Sequence, residues 1–317
     1  MNLSVVVPLL NEEESLHELY ARIDKVCQES QLSYEIWFVD DGSTDSSWQI
    51  IEGLSKENNQ VHGIKFSRNY GKSQALHAAF EKVQGDVVIT MDADLQDFPE
   101  EIPELYSKIV DEKFDLVSGW KKKRFDNVMT KNLPSKLFNS AARNLSGVEL
   151  HDFNCGLKAY RKQVVKSVDV YGDLHRWIPV LAANAGFKRI TEKPVLHQAR
   201  PYGTSKFGTE RFIRGFLDLI TLWFVSKFGG RPMHFFGAVG TLMFIFGFFS
   251  AFWLGTTKLV DVYYYHIYGN LIAENPWFYI ALTMMLMGTL LFVAGFLGEL
   301  IIRQSRGHKN YHVEQIL

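Results

Sequence analysis

Two cysteines in 317 residues, Cys27 and Cys155, make no disulfide framework and have no metal-ligand spacing. The ten histidines show no zinc-like spacing either. Net charge is nearly absent: 34 Lys and Arg stand against 35 Asp and Glu, a formal −1, which argues against a nucleic-acid partner. No secretory leader is expected either. Val5-Val6-Val7-Pro8-Leu9-Leu10 has no basic region before it, is too short for a signal-peptide core and runs into Asn11-Glu12-Glu13-Glu14. The start of the chain is therefore expected in the cytoplasm, and nothing demands an oxidising compartment. Charge is missing once more, from the whole of Phe235–Thr257 and of Asn275–Gly298.

What is present in the first two-thirds is alternation. Leu3–Leu10 reads as a buried strand, and Asn11 as the N-cap of a helix, with Glu14 at the capping-box position. Leu16, Leu19, Tyr20, Ile23, Val26 and Cys27 follow with helical spacing. Further strands are predicted at Tyr34–Val39, Gly63–Ser67, Asp86–Met91 and Asp115–Ser118. Between them fall helices carrying Trp48, Ile51 and Leu54 (capped by Asp45), then Ala75, Ala78 and Ala79, then Ile102, Leu105 and Ile109 after Phe98-Pro99-Glu100. Strands apolar throughout, alternating with amphipathic helices, predict a mainly parallel sheet covered on both faces, an α/β fold.

In such sheets ligands bind beyond the carboxyl ends of the strands. The polar clusters stand there: Asn11-Glu12, Asp40-Asp41, Arg68-Asn69 and Asp92-Ala93-Asp94. Two carboxylates one residue apart at the end of a buried strand suit a hard divalent cation, Mg²⁺ or Mn²⁺, that shares its oxygens with substrate phosphates. Gln96 offers a further carbonyl oxygen. A solvated turn is the alternative for Asp-x-Asp alone; the convergence of four strand ends favours a nucleotide-type site.

The last third reads differently. About 20 apolar residues span a bilayer, and the two uncharged stretches are long enough, with no remaining domain to bury them. The loop between them carries Tyr263-Tyr264-Tyr265, as membrane interfaces often do. Lys227 and Arg231 precede the first stretch, and Arg303, Arg306 and Lys309 follow the second. The positive-inside rule then places the N-terminal domain and the tail in the cytoplasm. Ahead of the first span, Thr209–Phe228 carries Arg211, Arg214, Asp218 and Thr221 on a narrow stripe beside a wide apolar face. It is expected to lie in the membrane interface; packing on the catalytic domain or on another subunit is the alternative. The expected organisation is a catalytic domain over 1–208, an interfacial amphipathic helix over 209–231, spans over 232–257 and 275–302 joined by a loop over 258–274, and a tail over 303–317.

Val5-Val6-Val7-Pro8-Leu9-Leu10-Asn11-Glu12, Val39-Asp40-Asp41-Gly42-Ser43-Thr44-Asp45 and Asp92-Ala93-Asp94 resemble family 2 glycosyltransferases of the GT-A fold. Ser67-Arg68-Asn69-Tyr70-Gly71-Lys72, His151-Asp152-Phe153-Asn154-Cys155-Gly156 and Gly203-Thr204-Ser205-Lys206 resemble the polyprenyl-phosphate branch of that family, which includes dolichyl-phosphate mannosyltransferases and bacterial undecaprenyl-phosphate glycosyltransferases. The resemblance covers the whole chain.

It implies an inverting transfer of a sugar from a nucleotide-diphosphate donor to a polyprenyl phosphate on the cytoplasmic face of the inner membrane. A UDP-sugar is the expected donor and GDP-mannose the alternative. The resemblance assigns the nucleotide to Pro8, Leu9, Asn11, Glu12, Asp40 and Asp41, and to Gly71, Lys72, Asp92 and Ala93; Arg200 and Lys206 flank a loop over the diphosphate. Asp92, Asp94 and Gln96 match the metal site, and Asp152 the catalytic position beside the reacting centre. Asp41 has a second reading, the capping of a turn. Lys121, Arg124, Lys131 and Ser135 are carried over to the lipid phosphate; the family usually has Arg where Lys121 and Lys131 stand, and a solvated basic loop is the alternative. A homo-oligomer, a tetramer, is a further expectation. Two other functions compete. A processive polysaccharide synthase needs more spans and a Gln-x-x-Arg-Trp motif, whose Gln His175-Arg176-Trp177 lacks. A non-catalytic nucleotide-binding membrane partner would have no use for intact carboxylates at every matched position.

Overall fold

The computed structural model describes residues 1–122, 143, 147–170, 172, 174–198, 224, 227–228, 231–267, 269, 271–304 and 313–316. Arg124, Lys131, Ser135, Arg200 and Lys206 lie outside the described residues, as does most of the stretch 209–231. The chain divides into two compact units, Met1–Ser226 with Asn310–Leu317, and Lys227–Lys309.

The first unit is built on one eight-stranded sheet. Its strands are β1 (Leu3–Leu9), β2 (Tyr34–Asp40), β3 (Val61–Phe66), β4 (Val87–Thr90), β5 (Leu116–Trp120), β6 (Lys158–Arg161), β7 (Ile190–Pro194) and β8 (Val313–Ile316), in the spatial order β7-β5-β6-β4-β1-β2-β3-β8. The pairs β1–β2, β1–β4, β2–β3 and β5–β7 are parallel; β6 runs antiparallel between β4 and β5, and β8 runs antiparallel along β3 at one edge.

Every residue of β1 is buried because both faces of the sheet are covered. Val5, Val7 and Leu9 enter one core with Leu16, Leu19 and Ile23 of α1 (Leu16–Glu29), Trp48 and Ile51 of α2 (Ser47–Glu57), and Ile102 and Leu105 of α4 (Ile102–Val110). Val6, between them, points to the other face and packs with Ala75, Ala78 and Ala79 of α3 (Lys72–Lys82). The two-residue period of a strand sends neighbours to opposite faces, so a strand buried on both sides reads as a continuous apolar run.

One local expectation is corrected. Asn11 does not cap α1, which starts at Leu16 after Ser15. Asn11 takes a left-handed backbone (φ 54°), which Asn tolerates, and its Oδ1 accepts the N–H of Thr44 at 2.8 Å. The side chain joins two loops instead of starting a helix.

The second unit contains two helices long and apolar enough to cross a membrane, Pro232–Tyr263 and Pro276–Ile301. At 1.5 Å per residue the first is about 48 Å long, more than a hydrocarbon core of about 30 Å, and it passes the sequence-based end at Thr257. Neither behaves as a soluble core helix: Leu242 and Trp253 are 68% and 70% exposed, and Leu286 and Leu290 are exposed too. The two helices touch through glycine. A Cβ on Gly240 would stand 2.5 Å from the carbonyl oxygen of Gly288, and one on Gly288 as close to that of Gly240. Small residues of this kind let membrane helices approach backbone to backbone.

Candidate active site

The loops after β1 and β2 are stitched to each other. The N–H of Asn11 donates to Ser43 Oγ at 2.9 Å, that of Glu12 to Ser47 Oγ at 3.0 Å and that of Glu13 to Asp45 Oδ2 at 3.2 Å. Asp45 Oδ1 accepts the N–H of Ser47 at the start of α2. Pro8 and Leu9 pair in register with Val39 and Asp40.

Asp40 is 0% exposed, and burial raises its pKa above the usual carboxylate range. Its Oδ1 accepts the N–H of Ser43 at 2.8 Å, and Oδ2 has no hydrogen-bond partner among the described residues. A buried acceptor without a donor is costly, and the imide N–H of a base would supply one. Asp41 is placed differently. Its Oδ1 accepts the N–H of Tyr70 at 2.7 Å and its Oδ2 that of Gly71 at 2.9 Å. Both oxygens thus hold the loop that leads from β3 into α3.

Lys72 opens α3, and its Nζ meets Asp92 Oδ1 just past the end of β4. Burial works against the charge of Asp92, but Lys72, through charge and hydrogen bond, and then Lys121 and Lys158 hold its pKa down to about 2. Ala93 is buried; Asp94 Oδ1 accepts the N–H of Gln96 at 3.2 Å across Leu95, whose φ is 57°. The main-chain oxygen of Gln96 receives the N–H of Gln198 at 3.3 Å.

Against Asp92 lies the backbone of Gly156. A Cβ there would come within 2.5 Å of Asp92 Oδ2 and 2.7 Å of Oδ1. Thr90 Oγ1 donates to the carbonyl of Gly156 at 2.9 Å and keeps this contact closed. Gly156→Ala is expected to turn the Asp92 carboxylate aside, because that partly exposed side chain yields more easily than the backbone. A displacement near 1 Å lowers turnover by about 10²-fold, with thermal stability changed little. Initial rates and a melting curve on the same preparation check this.

Asp152 is buried in the loop before β6. Its Oδ1 accepts the N–H of Asn154 at 3.0 Å, and its carbonyl accepts from Ser118 Oγ at 3.4 Å. Beneath it sits Lys158, 4% exposed, with Nζ donating to the carbonyls of Phe153, at 3.2 Å, and Cys155. Burial lowers the pKa of Lys158, and the ammonium feels both Asp152 and Asp92. Burial also pushes the Cys155 thiol up to about 12, which makes it inert. Lys121 is drawn inward as well: its Nζ stands 2.7 Å from Asp97 Oδ1. Burial opposes its charge, but Asp97 more than offsets this and raises its pKa.

The structure therefore brings Lys72, Asp92, Asp94, Asp152 and Lys121 to one end of the sheet. Four participants were not assigned a part from sequence. Asp97 and Lys158 are buried charges, and the one sequence signal for Lys158 is a cation set within Leu157–Tyr160. Ser73 and His175 form the second pair: Ser73 Oγ accepts the N–H of His175 at 3.0 Å and lies 3.1 Å from its Nδ1. Burial, then the charges of Lys72 and Arg176, push the His175 pKa well below the usual value, so the ring is neutral.

Among the described residues no group of three or more His, Cys, Asp or Glu is arranged to hold a metal ion. Two carboxylates completed by substrate phosphates are the usual mode for Mg²⁺. Asp92 and Asp94 fit that mode: Gly156 leaves the carboxylate its space, and an ammonium already stands on Asp92.

A model of the family described as glycosyl transferase family 2 matches residues 4–169. A dodecaprenyl-phosphate galacturonate synthase of Rhizobium johnstonii is 33% identical over 321 residues, covering 100% of this chain and 93% of that one. An undecaprenyl-phosphate 4-deoxy-4-formamido-L-arabinose transferase of Salmonella choleraesuis is 34% identical over 318 residues, covering 99% and 93%. Among solved structures, a glucosyl-3-phosphoglycerate synthase of M. tuberculosis is similar with a TM-score of 0.53 at 18% identity, over 71% of this chain and 80% of that one. The same enzyme is similar with a TM-score of 0.52 in a complex with Mn²⁺, UDP-glucose and phosphoglyceric acid, at 18% identity over 71% and 79%. At that identity the likeness speaks for the fold, which is GT-A.

Proposed function

Because the chain belongs to glycosyl transferase family 2, we propose that it moves one sugar from a nucleoside-diphosphate sugar to the phosphate of a polyprenyl lipid. The observation that carries the acceptor is likeness along the full length. Both relatives are named for a polyprenyl phosphate, and each match covers at least 99% of this chain, the two apolar helices included.

The lipid phosphomonoester is anionic at neutral pH and needs no strong base. One of its oxygens attacks the anomeric carbon, the bond from that carbon to the donor diphosphate breaks, and the nucleoside diphosphate leaves with the electron pair. A single displacement inverts the centre. Asp40, through its unpartnered Oδ2, accepts from the base of the donor, for which a UDP-sugar is our reading, and the stitched loops at Asn11 and Glu12 hold the ribose. Asp92, Asp94 and Gln96 hold a divalent ion, Mg²⁺ or Mn²⁺, whose charge offsets that of the leaving diphosphate. Asp152 orients the reacting groups. Arg124, Lys131 and Ser135 are assigned to the lipid phosphate, and Arg200 and Lys206 to the donor.

We place the catalytic domain and the tail on the cytoplasmic side of the inner membrane. The tail strand β8 pairs with β3 of the sheet, which agrees with an even number of crossings between them, and the Lys and Arg flanks of the two helices agree with the positive-inside rule. Assembly as a tetramer belongs to the same proposal.

The test is transfer in detergent to undecaprenyl phosphate, with Mg²⁺ or Mn²⁺ and a panel of radiolabelled UDP- and GDP-sugars. Label is expected in the lipid phase with one donor. Label that stays aqueous with every donor, from protein that still binds nucleotide, removes the acceptor assignment.

A further inference from the structure

Three lysines bear on Asp92, and two of them are tied elsewhere. Lys121 is held by Asp97 at 2.7 Å, and Lys158 by the carbonyls of Phe153 and Cys155. Lys72 differs. Among the described residues its Nζ has one partner, Asp92, and both side chains are 33% exposed. Its main chain is anchored, since Asp41 holds the N–H groups of Tyr70 and Gly71 immediately before it. Ser73 immediately after it is bound to His175. A fixed Cα thus carries a flexible four-carbon stem with a compact charge at its end, which repoints without moving the backbone.

We propose that Lys72 is an exchangeable counter-ion of the metal site: it holds Asp92 while donor is absent and passes to the donor's diphosphate when metal and donor bind together. The proposal rests on the reading of Asp92 and Asp94 as the metal-diphosphate site. Its physical basis is charge. A divalent ion arriving alone must displace Lys72 and then face the ammonium groups of Lys72, Lys121 and Lys158. A diphosphate arriving with it brings the negative charge that gives Lys72 a new partner. Metal and donor then bind cooperatively, and by linkage each strengthens the other by the same factor. Free metal is kept off an enzyme that has no donor.

The experiment is Mn²⁺ binding to the full chain in detergent, followed by electron paramagnetic resonance, with and without UDP or GDP. Lys72→Met is expected to bind Mn²⁺ alone at least about five-fold more tightly than the wild type, the lower end of ordinary coupling, and to lose most of the strengthening by nucleotide. Lys72→Arg, which keeps the charge, should bind Mn²⁺ alone as weakly as the wild type. Lys72→Met that binds Mn²⁺ no better than the wild type, or not measurably, overturns the proposal. Asp92→Asn separates the two readings: if it binds Mn²⁺ as well as the wild type does, the metal site itself is misassigned, whatever Lys72 does.

Discussion

Asp94→Ala should lower the rate of sugar transfer by about three powers of ten and leave the fold in place. The carboxylate is partly exposed on the turn after β4 and accepts the N–H of Gln96 at 3.2 Å. A hydrogen bond of that kind contributes about 1 kcal/mol, so the melting temperature should move by a few degrees at most. Chemistry loses more. A metal that offsets charge on a leaving diphosphate supplies several kcal/mol to the transition state, and each 1.36 kcal/mol is tenfold in rate. Asp92 cannot make up the loss, because the backbone of Gly156 lies close against its carboxylate. The measurement is kcat for label transfer at saturating Mn²⁺, beside a melting curve in the same detergent. A near-normal kcat in folded protein would take Asp94 out of the metal site.

The sheet was legible where burial is two-sided. Val5, Val6 and Val7 sit on alternating faces of a fully covered strand, and an apolar run is the direct signature of that environment. The strands that escaped the sequence are the ones with mixed surroundings. Lys158 and Arg161 interrupt β6, Thr191, Glu192 and Lys193 interrupt β7, and β8 is four residues paired with a strand some 250 positions away. No local pattern specifies such a pairing, because its energy comes from the edge it covers. The site was legible in the same measure. Asp-x-Asp at a strand end announced a cation, yet the ammonium that stands on Asp92 comes from the start of α3, and only the sheet order brings the two together. Asp41 shows the limit from the other side. Its neighbour Asp40 is the same residue type on the same turn, but the strand's alternation buries one carboxylate with an unfilled acceptor and points the other at two N–H groups of the next loop.

Lys158→Met should lower kcat by about 10- to 100-fold, the usual cost of removing a group that orients a site's ligands, with the donor KM changed less. Lys158 is a positioning residue: it holds the carbonyls of Phe153 and Cys155, which lie in the same turn as Asp152 and Asn154. Stability separates this role from a structural one. Methionine leaves two carbonyls without a donor, about 1–3 kcal/mol each, but it also removes an ammonium whose burial costs several kcal/mol. The terms oppose, so the variant should remain folded at neutral pH. The pH dependence has a definite sign. Burial lowers the folded-state pKa of Lys158 below its ordinary value of 10.5, so the unfolded chain binds more protons between the two values and the wild type gains stability as pH rises through that window. Lys158→Met lacks this gain. The difference in melting temperature between the two proteins should therefore shift in favour of the wild type from neutral pH toward pH 10. A difference that does not move with pH, together with a kcat like that of the wild type, would leave Lys158 as packing alone. Lys158→Gln, which restores a donor without the charge, should recover part of the lost kcat and none of the pH dependence, which assigns the hydrogen bonds and the charge to separate effects.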